Sequence, residues 1–256
     1  MAKIAWIATT PVKALAVDLV EEIDLTTDGP RGDRLFYLVD ENDRLVSNKG
    51  LGILQQVHGT YDEATRVLSM RMPDGSVVEA EVELGEEAET GFSGRSRKVA
   101  RRVSGPWALA LSELTGKSIR LMASDTPAVD RGARSVATLL STGSLRALGG
   151  ELAVADVDSR RFRMHFGVDG VEPHAEDDWI GKRVRIGEAV VVPQGNVGRC
   201  AVTTQNPDSG RPDLDTLKAL ARYRGDLEAT EPLPFGVYAT VAEPGRVRLG
   251  DPISLL

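Results

Sequence analysis

The 256-residue sequence has one cysteine, three histidines and few aromatic side chains, 5% in all. A single thiol, Cys200, excludes an internal disulfide, a CxxC redox pair, a cysteine-ligated iron–sulfur cluster and an all-cysteine zinc site. His58, His165 and His174 stand far apart, with none of the spacings by which histidines share a metal. A metal on this chain would therefore hang from one thiolate and take most of its ligands from elsewhere. Positive charge is also in deficit, with 31 basic against 38 acidic residues and a net charge of −7. That balance argues against general nucleic-acid binding, which needs a basic footprint. No apolar run approaches the roughly 18 residues of a membrane helix, and the N-terminus enters a β-like run rather than a signal peptide. The expectation is a cytoplasmic chain with no membrane partner.

What is present is ordinary globular material, 41% hydrophobic and 27% charged, enough for one large or two small domains. Strand signals outnumber helix signals. Lys3 to Ala8 and Leu35 to Val39 read as strands. Arg66 to Met72 and Ser76 to Leu84 alternate around Pro73-Asp74-Gly75 and read as a hairpin with an Asp-Gly turn. From Gly85 to Ser104 the alternation breaks into an acidic run (Glu86, Glu87, Glu89) and a basic one (Arg95, Arg97, Lys98, Arg101, Arg102). That stretch reads as a solvated linker, with a basic loop for an anionic ligand as the alternative. Three helices are expected: one entered at Ser104-Gly105-Pro106 and ended at Gly116, one over 143–148, and one over 214–224. The segments 183–192 and 246–256 share an Arg-Val-Arg-apolar-Gly-acid pattern, in which each glycine would bend a strand before the next begins. The fold class is mostly β (α+β).

Cys200 lies in Gly198-Arg199-Cys200-Ala201-Val202-Thr203-Thr204. A buried structural thiol is the plain reading, since free cysteine is among the most buried residue types. The adjacent Arg199 and the small, polar neighbours point instead to a reactive thiolate or a soft-metal ligand. Lys13, Arg34, Arg161 and Arg163 sit in turn-like contexts that each suit a surface charge or an anion contact.

Several motifs in order resemble the MOSC domain of molybdenum cofactor sulfurases and amidoxime-reducing enzymes. They are Asp158-Ser159-Arg160-Arg161-Phe162-Arg163, Ala175-Glu176-Asp177-Asp178-Trp179-Ile180-Gly181, the run from Arg199 to Gly210, Phe235-Gly236-Val237-Tyr238, and Gly245 to Pro252. Pro11-Val12-Lys13 and Gly29-Pro30-Arg31-Gly32-Asp33-Arg34 resemble the β-barrel domain that precedes it in those proteins. The resemblance implies an N-terminal β-barrel-like domain over 1–90, a linker and helix over 91–123, and a MOSC β-barrel with a few helices over 124–256. It also implies a molybdopterin-type molybdenum cofactor. Cys200 would be the metal ligand and catalytic residue, and Lys13 would meet the cofactor's phosphate. Arg34 and Arg163 would bind phosphate or pterin oxygens. Arg134, Ser135, His165, Arg199 and Tyr238 would line the cofactor pocket. A cofactor touching Lys13, Arg34, Arg163 and Cys200 together would lie in the cleft between the two parts of the chain.

Three positions depart from the family pattern. Ala14 stands where serine is frequent, Met164-His165 where Pro-Asn is frequent, and Gly198 where the amidoxime reducers often carry serine. The implied activity is pyridoxal phosphate-independent reduction of N-oxygenated small molecules such as amidoximes and hydroxylamines. Electrons would come from a separate partner: a ferredoxin, a cytochrome b5-like protein or a flavin reductase. The alternatives are a sulfur-carrier or cofactor-delivery protein using a Cys200 persulfide, and a cofactor-free barrel that binds a small ligand.

Overall fold

The computed structural model describes residues 1–92, 97–124, 132 and 135–256. The chain is mostly β, with three α-helices: α1 (Trp107–Thr115), α2 (Thr142–Leu152) and α3 (Thr216–Arg224). Among the described residues no helix is long and apolar enough to cross a membrane.

The largest sheet has eight strands, in the spatial order Ile253–Leu255, Val184–Ile186, Ala189–Gly198, Pro234–Glu243, Ala137–Ser141, Phe166–Asp169, Lys3–Thr9 and Asp18–Val20. One pair, Ala137–Ser141 with Phe166–Asp169, is parallel, and α2 lies in the connection between its two strands. The first two strands of the chain thus complete a sheet built otherwise from its C-terminal half. Ile4 N–H donates to the Asp251 carbonyl (2.9 Å) and Ile253 N–H to the Ala2 carbonyl (3.0 Å), so the sheet bends back on itself. Ile4, Ile7, Phe166, Val184, Val191 and Val237 fill its interior.

Residues 36–124 build the other large core. A five-stranded sheet runs Glu83–Gly91, Arg97–Ser104, Arg120–Ser124, Phe36–Val39, Leu45–Val46, and a three-stranded one runs His58–Asp62, Val67–Arg71, Val77–Glu81. Phe36, Leu38, Leu54, Leu68, Met70, Trp107, Leu111 and Leu121 pack within this unit. α1 fits its expected face, with Trp107 and Leu111 buried, and the Trp107 indole N–H donates to the Leu68 carbonyl (3.0 Å).

Two expectations are corrected. The stretch from 85 to 104 is no solvated linker: Glu83–Gly91 and Arg97–Ser104 are two strands of one antiparallel hairpin. The acidic run faces the basic run across the ladder, with Glu89 and Arg97 3.0 Å apart and Arg102 reaching both Glu86 and Asp43. Glu83, Glu86, Glu87, Glu89 and Arg97 are exposed, but so are the apolar Leu84 and Val99, which hides the alternation that marks a strand. Likewise Arg97–Ser104, α1 and Arg120–Ser124, expected within a linker and helix at 91–123, are part of the five-stranded sheet and its core. The basic-loop alternative rests partly on Arg95, which lies outside the described residues.

α2 is longer than expected. Ser141 caps it by accepting from the Ser144 N–H, and it runs through Gly149-Gly150 to a left-handed Ala153. A Cβ on Gly149 would stand 3.1 Å from the Val154 carbonyl, so glycine lets the chain fold back against the helix end. The two Arg-Val-Arg segments behave alike locally, with Gly187 (φ +56°) and Gly250 (φ +83°) turning the chain after each; Val184–Ile186 and Gly245–Arg248 lie in different sheets, but the second segment continues into Ile253–Leu255, which pairs with Val184–Ile186.

Candidate functional site

Three chain segments meet beside the parallel strand pair: 9–17 after the first strand, 33–36, and 160–165. Arg34 N–H donates to the Thr10 carbonyl (2.7 Å), and Lys13 N–H donates to the Phe36 carbonyl (2.8 Å). The Arg163 guanidinium donates to the Leu15 carbonyl (2.7 Å), and that of Arg34 to the Arg163 carbonyl (3.1 Å). Lys13, Arg34 and Arg163, distant in sequence, thus belong to one neighbourhood. Arg34 and Arg163 both adopt left-handed backbone, at φ +48° and +55°. Non-glycine residues held so off the common regions cluster where geometry serves function.

Asp33 organises this neighbourhood, and it went unnoticed in the sequence. Its carboxylate is buried and accepts from the Thr9 hydroxyl (3.0 Å), the Thr10 N–H (2.9 Å) and Arg34 (2.5 Å). The His165 ring lies 3.0 Å away. Burial alone would push the carboxyl group up, but Arg34, His165 and the Thr10 N–H outweigh it and hold Asp33 well below the usual carboxylate range. His165 is itself buried, its Nδ1 3.2 Å from the Thr138 hydroxyl and its Nε2 2.6 Å from Arg34 Nη1. At this departure from the family pattern, the imidazole ties the loop of Asp33 to the sheet.

Cys200 joins the group through its neighbour. The Arg199 guanidinium donates to the Phe162 carbonyl (3.0 Å), to the Phe235 carbonyl and to the Met164 sulfur (3.0 Å). The segment carrying the thiol is thereby fastened to the segment carrying Arg163. Arg199 turns inward as a backbone clamp, while the Cys200 side chain is exposed, which overturns the buried-thiol reading. The thiol residue caps a short 3-10 turn, Ala201–Thr204. Beyond it, Gln205 pairs with Gln55 (2.8 Å), Gln56 donates to the Ser209 carbonyl (3.0 Å), and Arg161 binds Asp213 (2.6 Å). The two glutamine contacts dock the loop after the cysteine onto the 36–124 unit, and the Arg161–Asp213 pair ties it to the turn before Arg163. A narrow cleft lies along this seam, between Val17, Gln55 and His58 on one side and Arg160, Arg163 and Pro207 on the other.

Tyr238 stands opposite Thr138 in the ladder and is half-buried. The Ser135 hydroxyl is buried with no hydrogen-bond partner among the described residues. Arg134 lies outside the described residues. Among the described residues, no three His, Cys, Asp or Glu side chains gather to cage a metal ion. The donor set still suits a cofactor that brings its own sulfur ligands: an exposed soft thiol, planar and point cations on the segments bonded to its own, and a hydroxyl with no partner among the described residues.

The MOSC domain model matches residues 127–254. The mitochondrial amidoxime-reducing component 1 of Xenopus laevis is 37% identical over 122 residues, which is 45% of this chain and 34% of that protein. The molybdenum cofactor sulfurase of Oryza sativa subsp. japonica is 39% identical over 70 residues, 27% of this chain and 8% of that protein. A crystal structure of the YUAD protein from Bacillus subtilis superposes with a TM-score of 0.49 at 12% identity, covering 99% of this chain and 94% of that one. With 34% of the amidoxime-reducing relative matched, the chain spans about a third of that protein's length.

Proposed function

The chain belongs to the MOSC-domain family, and from that premise we propose that it is a molybdenum-cofactor-dependent oxidoreductase acting on N-oxygenated compounds such as amidoximes and hydroxylamines. The names of the relatives, amidoxime-reducing component and molybdenum cofactor sulfurase, support both the cofactor and the substrate class. One observation carries the reading: Arg34, Arg163 and the exposed Cys200 thiol stand on segments directly bonded to one another. Ligand sites favour such seams between distant parts of a chain.

In this reading the Cys200 thiolate holds the metal, Lys13 and Arg34 take the cofactor's phosphate, and Arg163 its pterin oxygens. The buried Ser135 hydroxyl, which lacks a partner among the described residues, donates to the same ligand. Arg134, His165, Arg199 and Tyr238 complete the pocket, Arg199 by fixing the thiol's segment. When bound, the group supplies two-electron redox chemistry. Removing oxygen from an amidoxime consumes two electrons and two protons and yields an amidine and water. A separate donor protein, a ferredoxin, a cytochrome b5-like protein or a flavin reductase, provides the electrons, and we place the reaction in the cytoplasm. The chain's own task is to bind, orient and bridge.

The test uses protein expressed in a molybdopterin-competent host. Molybdenum and pterin are assayed, then benzamidoxime reduction with an artificial donor. Full molybdenum occupancy with no reduction of any N-hydroxylated substrate defeats the activity. Lys13→Glu lowers occupancy at least as much as Cys200→Ala, because a reversed charge repels the phosphate whereas a lost thiolate leaves the other contacts in place. Normal occupancy in Lys13→Glu removes the N-terminal segment from the site.

The exposure of Cys200 favours a second reading, a carrier of sulfur or of the cofactor itself. Intact-mass measurement separates the two: a one-sulfur adduct on Cys200 without metal supports the carrier.

A further inference from the structure

We propose that His58, held in place by Asp18, binds the pterin end of the cofactor through its Nε2 atom. The inference rests on the reading of Arg163 as a pterin contact. It adds two residues to that site, both from the N-terminal part of the chain.

His58 opens the strand His58–Asp62, and Asp18 opens the short strand Asp18–Val20. The Ala16 N–H donates to the Val57 carbonyl (3.0 Å), which brings the two strand starts side by side. His58 Nδ1 then lies 2.6 Å from Asp18 Oδ1. A carboxylate oxygen can only accept, so Nδ1 carries a proton, and in the neutral ring Nε2 keeps its lone pair. A carboxylate behind an imidazole fixes both its tautomer and its orientation. Four polar side chains line the seam cleft: Gln55, His58, Arg160 and Arg163. Gln55 is bonded to Gln205 (2.8 Å), Arg160 to Asp158 (2.6 Å) and Asp208 (2.8 Å), and Arg163 to the Leu15 carbonyl (2.7 Å). His58 is half-buried, and its Nε2 makes no hydrogen bond among the described residues. The arginines on one wall can only donate, whereas His58 on the facing wall offers an acceptor. A pterin carries a carbonyl oxygen along one edge, beside a ring N–H and an amino group. The two walls answer both kinds of group, and the cleft is narrow enough to take such an edge rather than the bulk of a ligand.

The test titrates cofactor-free protein with 6-hydroxymethylpterin at pH about 8 and follows the fluorescence of the pterin. His58→Phe keeps a flat ring without the acceptor and binds about tenfold more weakly, the loss expected for one hydrogen bond. His58→Gln, which restores an acceptor, stays within about threefold of wild type. Asp18→Ala frees the ring and weakens binding at least about threefold. Nitrogen NMR on the wild type gives a readout independent of any variant: the His58 Nε2 signal moves on addition of the pterin, while the His174 signals stay. An unmoved His58 signal, equal binding by wild type and His58→Phe, or no pterin binding by wild type overturns the inference. Metal and pterin analysis of protein from a competent host tests the parent reading separately. Cofactor acquired while His58 neither shifts nor matters defeats only the inference. His58-dependent pterin binding in a chain that never acquires molybdenum defeats only the parent reading.

Discussion

The Arg199 guanidinium donates to the Phe162 carbonyl at 3.0 Å while lying over the Phe162 ring, 5.3 Å from its centroid. The same group donates to the Phe235 carbonyl, and the rings of Phe162 and Phe235 pack at a tilt of 43° with centroids 4.7 Å apart. One side chain therefore closes the strand end before Cys200 onto the turn before Arg163. Lysine keeps the charge but not the planar fork. Arg199→Lys is expected to lose about 2 kcal/mol of stability in urea unfolding, from the lost donors and the carbonyls left unpaired. An unchanged midpoint would show that these contacts hold nothing.

Cys200→Ala behaves in the opposite way. The thiol is exposed, so its removal leaves unfolding within about 0.5 kcal/mol of wild type. Molybdenum content of protein from a competent host falls sharply. Loss of stability comparable to that of Arg199→Lys would make the cysteine a packing residue instead.

Gly210 closes the loop that follows the cysteine. A Cβ there would stand 2.0 Å from the Gly52 carbonyl oxygen, and its backbone is left-handed at φ +68°. Gly210→Ala is expected to cost about 3 kcal/mol, combining backbone strain with the displacement of two chain segments. Gly32→Ala is the control: φ is +78° but nothing lies within 4 Å of the added carbon, so the cost is only the backbone strain, about 1 kcal/mol. Equal losses in thermal or chemical unfolding would mean that the Gly52–Gly210 contact contributes nothing.

Features set by local rules were legible in the sequence. The Asp-Gly hairpin, the first strand and α1 follow from alternation, turn chemistry and caps acting within about ten residues. The hairpin at 83–104 escaped because its charges pair across strands, and one strand read alone shows only an acidic or a basic run. Local context marked Arg34, Arg163 and Cys200 as candidates and motif resemblance gave them a shared role, while Asp33 stood in the same motif unremarked. A single carboxylate in a loop has no period, and its partner His165 lies 132 residues away. Nor did residues 3–20 reveal that they join the C-terminal sheet, since strand composition does not specify which strand is the neighbour.

Glu176, within the Ala175–Gly181 motif, offers a prediction whose size depends on pH. Its side chain is fully buried. Oε1 accepts from the Ser141 N–H (3.1 Å) and the Ser144 hydroxyl (2.7 Å), while Oε2 has no partner among the described residues. Burial raises the carboxyl group above its ordinary 4.5, and the hydrogen bonds from Ser144 and Ser141 only partly oppose it. A carboxyl group that binds its proton more tightly when folded stabilises the protein fully below the unfolded value. That contribution is lost as pH rises through the folded value. Glutamine has the same shape, can accept the same two bonds and never ionises. Glu176→Gln should therefore match wild type at pH about 4 and exceed it by about 1 kcal/mol at pH about 7.5, because it avoids a buried charge. Urea unfolding at the two pH values measures the difference. If the variant is less stable at the higher pH, the two serine donors hold Glu176 as a carboxylate and burial does not govern this site.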